Sequence, residues 1–430
     1  MSQLARFNIN QSQDRLTIKD KIHVGYILMI ILAANEVLHF GSWWRIAGVF
    51  NIQDIGNMLI WLGFAWHFFR KGVGKSFWNP ITFLIFFYII FVFIQIALGS
   101  LNYGKSLTSG LIGTRHQFYF GSFFLFWALI DTVTKIRVIL KGIVIISIIA
   151  LILGIINYFG AQILTSRELE REIIRSGVER AFIPAMSLIS LSTIWLSARW
   201  TENSRSSVKS GVLTFVFLGV HIFRQTRMRL FGVFLIVFLQ FLIRKKFKLL
   251  VISAIIGMLG ISVSGLFLPE NIIVSLYNKS DREITQSSGS WGGRVKQLEV
   301  DYEEFMRHPF IGSGSSTLWN MKEARLSQKE WLLGYKADLG YSHWAKAYGS
   351  VGILWLLLFF GTLIIKSIGA LKLNKKTNPD ISNFCISFLG FILMTYVTLN
   401  HLMFPPGIVT VCLVAAIILR MSELNNVNSK

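Results

Sequence analysis

Apolar residues in this chain come in long, nearly unbroken runs, without the alternation of a half-buried strand or the one-sided period of a surface helix. Runs separated by charged or turn-rich segments fall near 22–40, 50–69, 81–99, 109–130, 142–160 and 181–198. Six more fall near 211–223, 230–243, 249–268, 347–365, 382–400 and 407–420. Roughly 20 apolar residues carry an α-helix across a bilayer, so the pattern predicts an all-α integral membrane protein with about 12 transmembrane helices. The hydrophilic stretch long enough to fold outside the bilayer is 269–346, a large, partly helical loop between helices nine and ten. The chain therefore divides into 1–268 with nine helices, the loop 269–346, and 347–430 with three helices and a tail.

Composition agrees, and charge adds an orientation. The 430 residues are 53% hydrophobic and 15% charged, with 36 Phe and 13 Trp, far from a soluble domain. A net charge of +21 suits nucleic-acid binding in principle, but the basic residues are scattered over many short loops, and no nucleic acid is expected. With a cytoplasmic N-terminus, 23 of the 43 Lys and Arg fall in loops and tails on that side and nine in the short outer loops. That is the positive-inside bias. It makes both termini cytoplasmic, places the large loop outside and leaves basic loops facing anionic lipids. The polar start, Met1 to Lys21, leads into spans that continue one after another, so the first helix rather than a cleaved leader is expected to target the chain. Cys385 and Cys412 lie in separate apolar runs and are read as packed small hydrophobes.

Candidate chemistry gathers on the outer side. Runs 211–223 and 230–243 are too short to cross fully, and their connecting turn carries Arg224, Arg227 and Arg229. One continuous helix would place three arginines at mid-bilayer, at roughly 2.5–3.5 kcal/mol each, and would reverse the charge bias of everything after it. A hairpin recessed below the outer surface avoids both. Guanidinium forks held there suit an anion with several acceptor oxygens, such as a diphosphate; arginines snorkelling to headgroups are the plainer alternative. Arg115, beside His116 in the fourth run, either faces a cavity or makes an interhelical hydrogen bond. In 161–180, Arg167, Arg171 and Arg175 recur every four residues beside Glu168 and Glu172, the spacing of a self-neutralised surface helix.

The large loop holds Trp291-Gly-Gly-Arg294, an amphipathic stretch to Met306, Arg307-His308-Pro309-Phe-Ile-Gly312-Ser-Gly314 and Tyr341-Ser-His343-Trp344-Ala-Lys346. His343, where the loop re-enters the membrane, can exchange a proton near neutral pH or serve as a capping or headgroup residue. His308 is the weaker candidate. Asp301-Tyr-Glu303-Glu304 has the outline of a divalent-ion motif, but Val300, Phe305 and Met306 give it helical apolar spacing. It is read as a solvated helix face, so neither metal nor cofactor is expected.

These features together resemble the O-antigen ligase and O-antigen polymerase superfamily. The likeness is carried by the hairpin with Arg224 to Arg229, Arg175-Ser-Gly177 before Pro184, Gly293-Arg294, the turn Pro309 to Gly314, and His343 ahead of Gly352 and an apolar helix. The resemblance implies a GT-C-like glycosyltransferase of the bacterial inner membrane, working on undecaprenyl-diphosphate glycans at the periplasmic face by metal-independent, inverting transfer. It makes His343 the base that deprotonates the acceptor hydroxyl, and Arg224, Arg227 and Arg294 ligands of the diphosphate. Arg229 and Arg115 join that set by their place in the outer half, and Arg175 and Trp344 are read as glycan contacts. Trp344 stands where asparagine commonly follows the histidine in the family pattern.

The expected partners are a lipid-linked glycan donor, a glycan acceptor (lipid-linked glycan or lipid A core), membrane lipids and, by resemblance alone, a chain-length regulator. A polymerase elongating O-antigen, capsule or exopolysaccharide repeat units is the favoured reading. A ligase passing glycan to lipid A core would use the same donor. A polysaccharide or lipid flippase is the rival of another class, though all seven prolines fall at helix ends or in loops, unlike the broken helices of many transporters.

Overall fold

The computed structural model describes residues 16–37, 51–72, 77–104, 106–161, 174–175, 178–179, 183–202, 207–224, 227–248, 251, 285, 289–314, 339–374 and 377–428. Helices make up nearly all of this. They are α1 (Ile18–Ala34), α2 (Ile52–Lys71), α3 (Pro80–Tyr103), α4 (Leu107–Thr114), α5 (Ser122–Leu129), α6 (Val133–Ile156) and α7 (Met186–Glu202). After these come α8 (Ser207–Phe223), α9 (Arg227–Ile243), α10 (Gly289–Arg307), α11 (Gly340–Leu373), α12 (Pro379–Thr395) and α13 (Pro405–Asn428). Tight 3-10 turns cover Arg115–Gly121 and His401–Met403.

Polar residues at the breaks start the helices. Thr17 with Asp20, and Asn51 with Asp54, form reciprocal capping boxes at α1 and α2; Asn79 caps α3, with Pro80 in its first turn. Segments Pro80–Asn102, Val133–Phe159, Gly340–Leu373 and Pro405–Glu423 are long and apolar enough to cross a membrane, and α8, α9 and α12 contribute shorter apolar helices. On α3 the large side chains Phe83, Phe86, Phe87, Ile90, Phe93 and Ile94 form one exposed stripe, and Leu354, Leu357, Leu358, Ile365 and Ile368 do so on α11. Such stripes have no place in water and suit lipid. The fold is that of an all-helical, multi-pass membrane protein.

The apolar stretch of α13 is 83% buried, against 39–44% for the other three long helices, so α13 is the central helix. It packs on α5, α11 and both 3-10 turns. Around it the helices alternate in direction, which brings particular ends together. At one end, near the starts of α1, α6 and α12 and the finishes of α5, α7, α9 and α13, charges pair across elements. Lys135 meets Asp20 at 2.7 Å and Asp131 at 2.8 Å, Arg137 meets Asp380 at 3.1 Å and Arg244 meets Glu202 at 2.5 Å. Arg420 lies over Trp127 and reaches Glu423 at 2.7 Å. Lys135 in turn holds the Asp20 carboxyl below the usual carboxylate range. Lys135, Arg137, Arg244 and Arg420, four of the residues that charge bias assigns to a single side, thus lie in such pairs.

Three expectations change. The fourth run is not one helix: α4 gives way at Arg115 to a 3-10 stretch before α5, where Asn57 Nδ2 donates to the Arg115 carbonyl and the Gly121 backbone packs against Trp61. Within 161–180, Arg167, Glu168, Arg171 and Glu172 of the charge-spaced helix lie outside the described residues, and Arg175 falls in a short antiparallel pair, β1 (Ile174–Arg175) and β2 (Val178–Glu179), in register Ile174↔Glu179. Third, α11 begins at Gly340 rather than near 347, so His343 sits within a helix. The predicted ninth run, 249–268, falls outside the described residues apart from Val251.

Candidate functional site

At the opposite end of the bundle several polar side chains are buried without a hydrogen-bond partner among the described residues. Its first wall is the α8–α9 hairpin. Gly232 of α9 lies against Thr395, Met394 and Phe391 of α12 with room for no larger residue, so the start of α9 is pressed onto the finish of α12. Arg229, in the first turn of α9, therefore points its charge into the protein. It acts electrostatically on Arg224, on His221 of α8 and on His401 in the turn before the central helix. Among the described residues Arg229 has no carboxylate partner, and its Nε has no hydrogen-bond acceptor.

The groups around it are similarly unsatisfied. His221 is fully buried with neither ring nitrogen hydrogen-bonded, and the same holds for both amide atoms of Asn400 and for the Tyr396 hydroxyl. Each buried polar atom without a partner costs about 1–3 kcal/mol, and folded proteins keep few of them. Several near one unpaired guanidinium mark a place built to receive polar or anionic atoms.

His401 is held differently. The Thr395 hydroxyl donates to the Phe391 carbonyl at 2.7 Å and stands 2.8 Å from His401 Nε2. With its proton so committed, the hydroxyl can only accept from Nε2–H. Burial first, and then the Arg229 charge, keep the His401 imidazole below its ordinary pKa and hence neutral.

The second wall is the start of α11. The helix is broken at Gly349, whose φ of +62° favours glycine and whose neighbours include the backbone of Gly312 and Phe310. The backbone groups released by the break are taken up by the turn after α10. Ser350 N donates to the Pro309 carbonyl at 2.8 Å, Val351 N to that of Phe310 at 3.0 Å, and Ser313 N to that of Lys346 at 3.0 Å. Gln95 and Asn102 of α3 fix the same turn through the carbonyls of Ile311 and Ser313, each at 2.8 Å. The motif from Pro309 to Gly314 thus clamps the helical segment 340–348 that carries His343.

That segment is anchored to α10 by a buried ion pair between Lys346 Nζ and Asp301 Oδ1 at 2.7 Å, both groups about 1–2% exposed. Asp301 also accepts from Gln297 and Ser342, each at 2.8 Å. The expectation of a solvated acidic face is therefore corrected: Asp301 and Glu304 are buried, while Trp291, Leu298, Tyr302 and Met306 on the other side of α10 are exposed. Gln297, Asp301 and Glu304 thus face the protein, while Lys296, Glu299, Glu303 and Arg307 remain on the exposed side.

His343 is buried next to Ser342, and its Nδ1 is sealed from the surface. Trp344 is fully buried, stacked on Tyr88 at 5.5 Å and on Trp355 at 5.7 Å, with Nε1 donating to the Gly352 carbonyl. Its faces are therefore occupied by protein rings. Tyr396 joins the two walls, its ring 4.9 Å from Tyr341, 6.5 Å from Trp344 and 6.4 Å from His401.

The remaining predicted residues spread out. Arg224 ends α8 beside Arg229, half-buried, whereas Arg115 Nε meets Asp54 Oδ1 at 3.0 Å, so a carboxylate answers its charge. Arg294 lies half-buried on α10, one turn before Gln297. The side chains of Arg227 and Arg175 lie outside the described residues. No three His, Cys, Asp or Glu side chains meet as a metal site among the described residues. Cys385 and Cys412 are buried free thiols. Sequence reasoning missed His221, Asn400 and His401; the available signal was a histidine in a very short connection between two apolar runs, shortly before Pro405-Pro406. Compared with models of protein families and with curated proteins, the chain matches none.

Proposed function

We propose that this protein is a membrane glycosyltransferase that elongates a glycan from an undecaprenyl-diphosphate-linked repeat unit at the outer, periplasmic face of a bacterial inner membrane. The observation that carries the reading is Arg229: a half-buried guanidinium with a sealed Nε and no carboxylate partner among the described residues, beside Arg224 and near unsatisfied polar side chains at the end of the central helix. A diphosphate supplies the missing acceptors. The orientation follows from the basic loops, and the two arginines then lie where a lipid-borne phosphate would sit, with Arg227 next to them in sequence.

In this mechanism the acceptor hydroxyl attacks the sugar C1 from the face opposite the diphosphate, giving inversion. Fixed cationic donors stabilise the negative charge that grows on the leaving group, and a base withdraws the hydroxyl proton. The resemblance assigns that base to His343, on the segment clamped by Pro309 to Gly314. Energy resides in the glycosyl–diphosphate bond, so neither nucleotide nor metal is required.

The test is to reconstitute the purified chain in nanodiscs with a synthetic undecaprenyl-diphosphate repeat unit, in the presence of EDTA. A ladder of products with release of undecaprenyl diphosphate is expected. Product only after lipid A core is added would replace polymerisation with ligation. No product with either acceptor, together with movement of labelled donor between leaflets, would replace transfer with transport.

A further inference from the structure

His401 was not singled out by its sequence context, yet its geometry is that of a proton acceptor. The Thr395 hydroxyl, its own proton given to the Phe391 carbonyl, fixes the tautomer with hydrogen on Nε2. The basic lone pair is therefore on Nδ1. That atom has no hydrogen bond among the described residues. The ring is held on two further sides, 5.8 Å from Phe391 and 6.4 Å from Tyr396. Arg229 lies close enough for its charge to reach the ring. His401 also opens the turn before α13, so it sits at the end of the central helix, between the arginine hairpin and the segment carrying His343.

We infer that His401 Nδ1, in place of His343, receives the proton of the acceptor hydroxyl, with Thr395 as the positioning residue that holds the imidazole in the reactive tautomer. This rests on the transferase reading above. As the acceptor oxygen bonds to the sugar C1, its proton passes to Nδ1. The bond from C1 to the diphosphate oxygen breaks, and the electron pair leaves with undecaprenyl diphosphate beside Arg229. The imidazolium then returns its proton to bulk water or to the departing diphosphate. A bound diphosphate offsets the Arg229 charge, so donor binding itself raises the basicity of the ring. Among the described residues, the groups facing His401 are Arg229 from α9 and, at the finish of α12, Thr395, Tyr396 and the apolar Phe391, and no carboxylate is paired with it.

The experiment combines turnover with chemical labelling in the same nanodiscs. His401→Gln is expected to lower kcat by about 100-fold or more, in the range of general-base catalysis, with donor KM little changed and the rise of rate with pH abolished. Thr395→Val is expected to lower kcat by about 10-fold, and Thr395→Ser to restore it. Diethyl pyrocarbonate, read by mass spectrometry, is expected to modify His401 in the folded native protein, leave His221 unmodified, and be blocked by undecaprenyl diphosphate.

Native-like kcat and pH profile in His401→Gln would overturn the inference and leave the transferase reading standing. A His401 that resists the reagent until the protein is unfolded would overturn it without any assay of activity, which also covers a variant that fails to fold. Absence of product from the native chain with every acceptor would remove the transferase reading, and this inference with it.

Discussion

The two ends of the bundle treat buried charge in opposite ways. At the end that gathers Asp20, Lys135, Arg137, Glu202, Arg244 and Asp380, cations meet carboxylates on neighbouring helices. Those pairs lock helix ends together, and Lys135 alone joins the starts of α1 and α6 to the finish of α5. At the other end, half-buried Arg229 meets no carboxylate among the described residues, and His221, Asn400 and Tyr396 keep polar atoms unbonded there. Not every charge there is open, since Arg115 pairs with Asp54 and Lys346 with Asp301. The difference separates groups paired within the fold from groups left open among the described residues, which the transferase reading supplies with a ligand. A polar group left unsatisfied in a buried place costs stability, and its retention points to use.

This comparison can be broken in several places. The largest effect is expected at Arg229: Arg229→Ala should reduce glycan product by about 100- to 1,000-fold, the cost of removing one preorganised donor to a developing anion. Thermal unfolding should be unchanged or shifted upward, because the substitution removes a half-buried charge that meets no carboxylate among the described residues. A variant that unfolds readily but turns over normally when folded would place Arg229 among the structural cations.

Asp301→Ala should do the reverse. Removing one member of the buried pair with Lys346 should cost about 3–5 kcal/mol of stability, measured by thermal unfolding in detergent, and Lys346→Met added to it should recover much of the loss. Gly349→Ala should destabilise by about 1–3 kcal/mol, because its backbone conformation is strained for other residues and the Gly312 and Phe310 backbone blocks a side chain. Hydrogen exchange in 309–314 and 340–351 should rise together. The smallest effect is expected at Asp131→Asn. That carboxylate is about half exposed and Lys135 retains Asp20, so solvent-screened loss should stay below about 1 kcal/mol with turnover unaltered.

Much of the architecture was readable from hydrophobicity because lipid imposes a simple rule: a spanning segment must be apolar and must satisfy its own backbone. The long helices α3, α6, α11 and α13 follow the runs that announced them. The fourth run misled because hydropathy is blind to a helix that tightens at Arg115 to present Gln117 to Tyr88 and Met403. The site was legible only in part. The arginine hairpin could be inferred, since three arginines between two short apolar runs offend solvation if the runs form one helix. Asp301 was misread because helical spacing tells that a helix has two faces, not which of them the protein covers.

The amino-acid sequence by itself determined the helical, membrane-spanning character of the chain, the grouping of its charged loops and the place of the arginine turn. These follow from local composition and the thickness of a bilayer. Only the tertiary structure decided which charges are paired, and it brought Arg229, Tyr396 and His401 together from segments far apart in the chain. The tautomer of His401 depends on one threonine proton being spent on a backbone carbonyl. Such contacts arise from packing between helices, and no pattern along one helix encodes them.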